Sequence, residues 1–321
     1  MELHRTRVAL LVGGPSSEHE ISLLSGEAIR KHLDKKRFNA IPILIDRKGE
    51  WPISPKRLPD IADVAFVGIH GEYGEDGVLQ EILQDLEIPY TGSDPMTSAL
   101  VINKPLVYRV LQAHGIKVPN ARVIDRHNSS DLQAEILELP VVVKPVNKGA
   151  SAGVSLVRRA DGLKAALERA FAFNRSIMIE DFIPGLEFSC GVMDDGMGNV
   201  FPLPVVSEIA RAGVHLEHDH YRTGIPREIR LIGLPPDDIN RAQAIAVTAH
   251  QAVGASGVSR THMIFGEDGE LYVLGVNTIP EMAETSFLSR AAQAHGLSLA
   301  EMFERLIEAA FIRHQLSRRL K

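Results

Sequence analysis

Apolar runs of strand length punctuate the first third of the chain. Val8-Ala9-Leu10-Leu11-Val12, Ala40-Ile41-Pro42-Ile43-Leu44-Ile45 and Ala65-Phe66-Val67-Gly68-Ile69 are near-continuously apolar and bounded by turn residues, the pattern of buried parallel strands separated by crossovers. Around them the spacing becomes helical, from the Gly13-Gly14 turn to Leu33 and from Val78 to Leu86. It does so again after Thr91-Gly92-Ser93-Asp94-Pro95, with Ser93 or Asp94 as N-cap and Pro95 as the first helical residue. Lys104 falls in this last helical region. Together these elements predict an α/β unit that ends near Asn103.

Beyond Asn103 the strand-helix alternation gives way to hairpins. A strand is expected around Arg122-Val123-Ile124. Val141-Val142-Val143 then runs into Lys144-Pro145, and a glycine-rich turn leads to a second apolar strand from Val154 to Val157, a hairpin with a mobile tip. Asp161 to Phe173 predicts an amphipathic helix and Ile177 to Ile183 a strand, after which Pro184-Gly185 turns the chain into Glu187 to Val192. The last third predicts strands near Val200 to Glu208, a polar stretch from His215 to Arg230 and a helix from Asp237 to Val253. It closes with an antiparallel hairpin that pairs Arg260–Phe265 with Leu271–Asn277 across Gly266-Glu267-Asp268-Gly269. The expected divisions are residues 1–103, 104–186 and 187–321.

Composition narrows the class. The 321 residues are 45% hydrophobic and 24% charged, which is ordinary for folded globular domains and excludes a disordered chain or a coiled coil. A net charge of −6 gives no global reason to expect nucleic acid as a partner. The lone Cys190 excludes an intrachain disulfide, a zinc cluster and a CxxC redox pair. No apolar run approaches membrane-spanning length, and the N-terminal residues lead straight into a strand, so a soluble cytoplasmic protein is expected.

Candidate chemistry lies at the strand ends. Lys144 at the end of a strand, followed by glycines that let backbone N–H groups approach an anion, suits a phosphate; a surface lysine beside an ordinary hairpin is the alternative. The loop lacks the Gly-Lys-Ser/Thr of a Walker A sequence. Gly13-Gly14-Pro15-Ser16-Ser17-Glu18 places Glu18 at a strand-to-helix mouth, either to receive a substrate ammonium or to complement the helix dipole. His70 sits at a strand's carboxyl end, where open α/β sheets bind ligands, or else decorates a glycine loop. A carboxylate at Glu180 or Glu187 suits ribose hydroxyls. The predicted hairpin sets Arg260, His262 and Asn277 toward one pocket, or leaves them as edge decoration.

The order of these motifs resembles the D-alanine–D-alanine ligase family of the ATP-grasp superfamily over essentially the whole chain. The matching residues are Gly13 to Ser22, the His70-Gly71 loop with Gly74-Glu75-Asp76-Gly77, Lys104, Lys144-Pro145, Glu180, Glu187, Arg260, and Asn277-Thr278 followed by Pro280. The resemblance implies an N-terminal open parallel sheet followed by a two-domain ATP-grasp fold. It implies a ligase that activates one amino acid with ATP as an acyl phosphate for attack by the amine of a second, with magnesium as cofactor and a homodimer as assembly.

Carried over by resemblance, Lys104 and Lys144 would bind the ATP phosphates and Glu180 and Glu187 the nucleoside, with Ser151 also in the cofactor site. Glu18 would take the first amino group and Arg260 the tetrahedral intermediate, as catalytic residues. His70, Glu281 and Ser286 would line the substrate site, and Asn277 would bind metal. The chain also departs from the family pattern. The family's metal carboxylates fall at His262 and Gly275, its loop serine at Ala150 beside Ser151, and a glycine near the second substrate at Glu281. Its lid lysine-tyrosine pair has no clear match unless Tyr221 or Arg222 substitutes. These changes fall on the chemistry, so the alternatives are a nucleotide-binding or regulatory protein with little catalysis, or a ligase for a different substrate.

Overall fold

A computed structural model describes residues 5–127, 138–148, 153–210 and 227–319. Ala150, Ser151, Tyr221 and Arg222 lie outside the described residues.

The three apolar runs of the first third form one parallel sheet. Its strands are β1 (Thr6–Gly13), β2 (Phe38–Ile45) and β3 (Val64–Val67), in the order β2-β1-β3. The helices α1 (His19–His32), α2 (Leu58–Ile61) and α3 (Val78–Asp85) accompany them, followed by α4 (Pro95–Ile102) and α5 (Lys104–Ala113). β1 is apolar from Val8 to Val12 because both faces are covered there. Val8, Leu10 and Val12 pack with Ile29 of α1 and with C-terminal residues, while Ala9 and Leu11 pack with Leu79 and Leu83 of α3.

Asp94 caps α4, its carboxylate accepting from the Thr97 N–H at 2.7 Å. The single helical region expected around Lys104 is instead two helices that meet at Asn103, whose backbone is extended. Pro105 is the physical reason: its ring and missing N–H bar it from a helix interior but suit a first turn, so a new helix starts at Lys104.

The second sheet is antiparallel, β4 (Ala121–Asp125), β5 (Val141–Pro145), β6 (Ser155–Val157) and β7 (Ser176–Asp181) in the order β4-β7-β5-β6. One face is covered by α6 (Leu163–Phe171), through Leu163, Ala166 and Ala170 against Val141, Val143 and Ile179.

The third sheet holds β8 (Gly185–Asp194), β9 (Val200–Pro202), β10 (Val206–Ala210), β11 (Arg227–Leu231), β12 (Val258–Gly266) and β13 (Leu271–Asn277). Its order is β11-β10-β8-β12-β13, with β9 beside β8. β11 lies in the stretch expected to be merely polar; its pairing with β10, and not its own alternation, makes it a strand. α7 (Pro236–Ala252) packs on one face, where Ala242, Ala246 and Ala249 meet Phe188, Cys190 and Val192. Glu187, Ser189 and Gly191 alternate with those residues and point to the opposite face. There follow α8 (Phe287–Ala294) and α9 (Leu299–Arg319), which close the molecule by packing Met302, Phe303 and Leu306 into the core of the first sheet.

Candidate active site

The phosphate-binding candidates come from two elements. Lys144 ends β5 and Lys104 opens α5, and the two ammonium groups lie close enough to repel one another. Lys144 is buried and paired with Glu180 of β7, Nζ to Oε1 at 2.7 Å. The Tyr108 hydroxyl donates to the other Glu180 oxygen at 2.7 Å and lies 3.3 Å from the Leu274 carbonyl. This trio therefore ties α5 and the second sheet to β13, one residue before Gly275. Lys104 donates to the Lys148 carbonyl, and burial, then the charge of Lys144, push its pKa down to about 8.

Tyr108 was not among the expected site residues. Its signal in the sequence is its spacing, four residues after Lys104, which places both on one side of α5.

The amino-acid end is built around the first βα turn. Gly13 and Gly14 both have positive φ, and a Cβ on them would lie 2.4 Å from the Ile45 carbonyl oxygen and 2.6 Å from Ile69 Cγ2. Only glycine fits this close turn, which delivers Glu18 to the N-cap of α1. No side-chain cap bond forms there. Glu18 instead lies against the His70-Gly71 loop, where a Cβ on Gly71 would come within 2.9 Å of its Oε1. Burial, then repulsion from Glu75, pushes the Glu18 carboxyl up to about 7; Glu281 adds to this, while His70 and Arg260 oppose it.

His70 is 2% exposed, and both ring nitrogens are engaged. Nδ1 donates to the Ile279 carbonyl at 2.9 Å, and Nε2 meets Ser25 Oγ at 2.8 Å. The same serine oxygen accepts from the Met282 N–H at 3.0 Å. His70 and Ser25 thus clamp the segment that carries Glu281. Burial works against an imidazolium, yet Glu75, with its Oε1 3.8 Å from Nδ1, and Glu18 hold the His70 pKa above its ordinary value. Glu75 and Ser25 are site residues that the motif reading left without a role. Ser286 is buried as the N-cap of α8, its Oγ accepting from the Ser289 N–H at 3.3 Å.

The expected β12–β13 hairpin is observed, with Arg260 opposite Asn277 and His262 opposite Gly275. The Arg260 guanidinium lies 5.2 Å from the centre of the Phe287 ring at the start of α8. His262 is also registered against Ser189 of β8, and its Nε2 lies 2.7 Å from Glu187 Oε1. The structure thus brings Glu18, His70, Glu281 and Arg260 to one end of the site and Lys104, Lys144 and Glu180 to another. Glu187 stands with His262, and Ser286 serves a helix terminus.

Magnesium does not fit these donors. It takes oxygen ligands in near-ideal octahedral geometry, one or two of them protein carboxylates and the rest water and substrate phosphates. His262 offers nitrogen, Gly275 no side chain, and Asn277 a neutral amide oxygen, which accepts the Ile279 N–H at 2.7 Å, so none of the three supplies a carboxylate. Among the described residues no three His, Cys, Asp or Glu side chains are grouped to hold a metal ion.

Comparison with known proteins matches residues 7–59 and 52–93 to the family described as D-ala D-ala ligase N-terminus, and residues 110–308 to D-ala D-ala ligase C-terminus. The chain is 35% identical to the D-alanine–D-alanine ligase of Geotalea uraniireducens over 314 residues, 97% of this chain and 98% of that one. The VanG D-Ala:D-Ser ligase of Enterococcus faecalis superposes with a TM-score of 0.82 at 28% identity, covering 96% of this chain and all of that one. The D-alanine–D-alanine ligase of Bacillus anthracis complexed with ATP gives 0.79 at 28% identity, covering 97% and 99%.

Proposed function

Since this chain belongs to the D-alanine–D-alanine ligase family, we propose that it is an ATP-dependent ligase joining the carboxylate of one D-amino acid, D-alanine first among them, to the amine of a second. The observation that carries the reading is the convergence of Lys104 and Lys144, two neighbouring ammonium groups, one of which burial and the other's charge push down to about 8. Such a pair is stabilised by a polyanion such as a triphosphate.

In this reading a carboxylate oxygen of the first substrate attacks the γ-phosphorus, ADP departs, and an acyl phosphate forms. Lys104 and Lys144 neutralise the transferring phosphates, and Glu18 holds the first substrate's ammonium. The second amine attacks the acyl carbon, and Arg260 stabilises the oxyanion of the tetrahedral intermediate. Phosphate then leaves and the amine loses a proton. His70 acts by positioning the segment 279–282, and no step is routed through magnesium, whose donors do not fit. The division at residues 103 and 186 is proposed from the change of pattern along the sequence, and a homodimer, a cytoplasmic location and a place in cell-wall peptide synthesis on family grounds alone.

Incubation of the protein with ATP and D- or L-amino acids, singly and in pairs, tests this by mass spectrometry of the products. A dipeptide together with ADP and phosphate is expected. Absence of any condensed product across the panel contradicts the reading.

A further inference from the structure

We propose that this chain takes its nucleoside triphosphate without a metal ion held by the protein, the His262–Glu187 contact and the bare Gly275 standing beside the phosphate lysines in place of a metal site. The inference rests on the nucleotide reading above.

Three placements carry it. Lys144 reaches β13 through Tyr108, whose hydroxyl lies 3.4 Å from the Lys144 ammonium and 3.3 Å from the Leu274 carbonyl. The next residue, Gly275, faces open space, since a Cβ built there meets nothing within 4 Å. Opposite it stands His262, with its Nε2 2.7 Å from Glu187 Oε1.

The strand position that borders the lysines thus presents no carboxylate, and the nearby Glu187 carboxylate is matched by an imidazole. A hard divalent ion gains little from such donors. The charge that meets the phosphates comes from Lys104 and Lys144. For cations of this kind a bare triphosphate is the better ligand, because a magnesium ion on it offsets the charge they would meet.

The test is calorimetric titration of the full chain with a non-hydrolysable ATP analogue, adenylyl imidodiphosphate, in excess EDTA and in millimolar magnesium. The expected result is affinity in EDTA equal to or tighter than that in magnesium. The variant H262D/G275E is expected to reverse the preference, binding at least about tenfold tighter with magnesium, a difference of about 1.4 kcal/mol. Gly275→Glu alone, which enters open space, is the second variant should the double one fail to fold, and is expected to shift the same way. Wild-type binding about tenfold tighter in magnesium overturns this inference and leaves the nucleotide reading standing. Variants that keep the wild-type preference overturn it as well. No binding in either condition overturns both.

Discussion

Glu18 shows most clearly how a single residue's surroundings set its task. A carboxylate at a helix N-terminus ordinarily gains from the dipole. Here burial and two neighbouring carboxylates outweigh that gain and move the pKa from 4.5 to about 7. The folded chain therefore keeps a proton that the unfolded chain has lost between these values, so the contribution of Glu18 to stability falls as pH rises through that window. Glu18→Gln is expected to remove this slope and make the protein more resistant to urea near pH 8, measured against the parent at the same pH. The same change takes away the charge that would receive an ammonium, so first-substrate affinity is expected to fall by about tenfold or more, the scale of a lost charge-assisted bond. Stability and binding moving in opposite directions separates a substrate carboxylate from a helix cap. The sequence placed Glu18 at the mouth of the turn but left those two roles open, because Glu75 and Glu281 reach it through folding and not through local spacing.

At the scale of elements, Tyr108, Lys144 and Glu180 join α5, β5 and β7 and reach toward β13. Lys144 and Glu180 are each below a tenth exposed. Removing one partner leaves a buried charge without its counterion, so Lys144→Met is expected to destabilise by about 3–5 kcal/mol in denaturant titration, whereas Lys144→Met with Glu180→Gln is expected to lose markedly less. Equal losses in the two variants would mean that the unpaired Glu180 carboxylate carries no penalty.

Strands such as β1 and β5 were legible from their runs of Val and Leu, and the β12–β13 hairpin from its turn. The break at Asn103 was obscured by apolar spacing that continues across it, although Pro105 marks it. β11 was not legible, because a polar edge strand is defined by its neighbour. Nor was the His262–Glu187 pair: hairpin reading places Gly275 opposite His262, but β8 joins that hairpin from far earlier in the chain.

For the whole molecule, the N-terminal sheet and the C-terminal helices share one core. Phe66 of β3 meets Phe303 of α9 edge to face, with ring centres 5.9 Å apart, inside a cluster that also holds Leu10, Ile29 and Leu306. His70, in the loop after β3, and Ser25, in α1, fasten the segment after β13 to the first sheet's unit near the same junction. This places Glu18 and Arg260, from opposite ends of the chain, within electrostatic reach of one another. Periodicity could not reveal the sharing, since amphipathic helices show that a face is buried without naming what covers it. The order of motifs pointed to the family, and the family to the assembly of these parts. The direct test of the central claim is phosphate release from ATP by the purified full chain, with magnesium present in the assay, with and without millimolar D-alanine. Release that requires D-alanine is the predicted result; nucleotide binding with no release, across D-alanine and a panel of other D- and L-amino acids, would contradict the account.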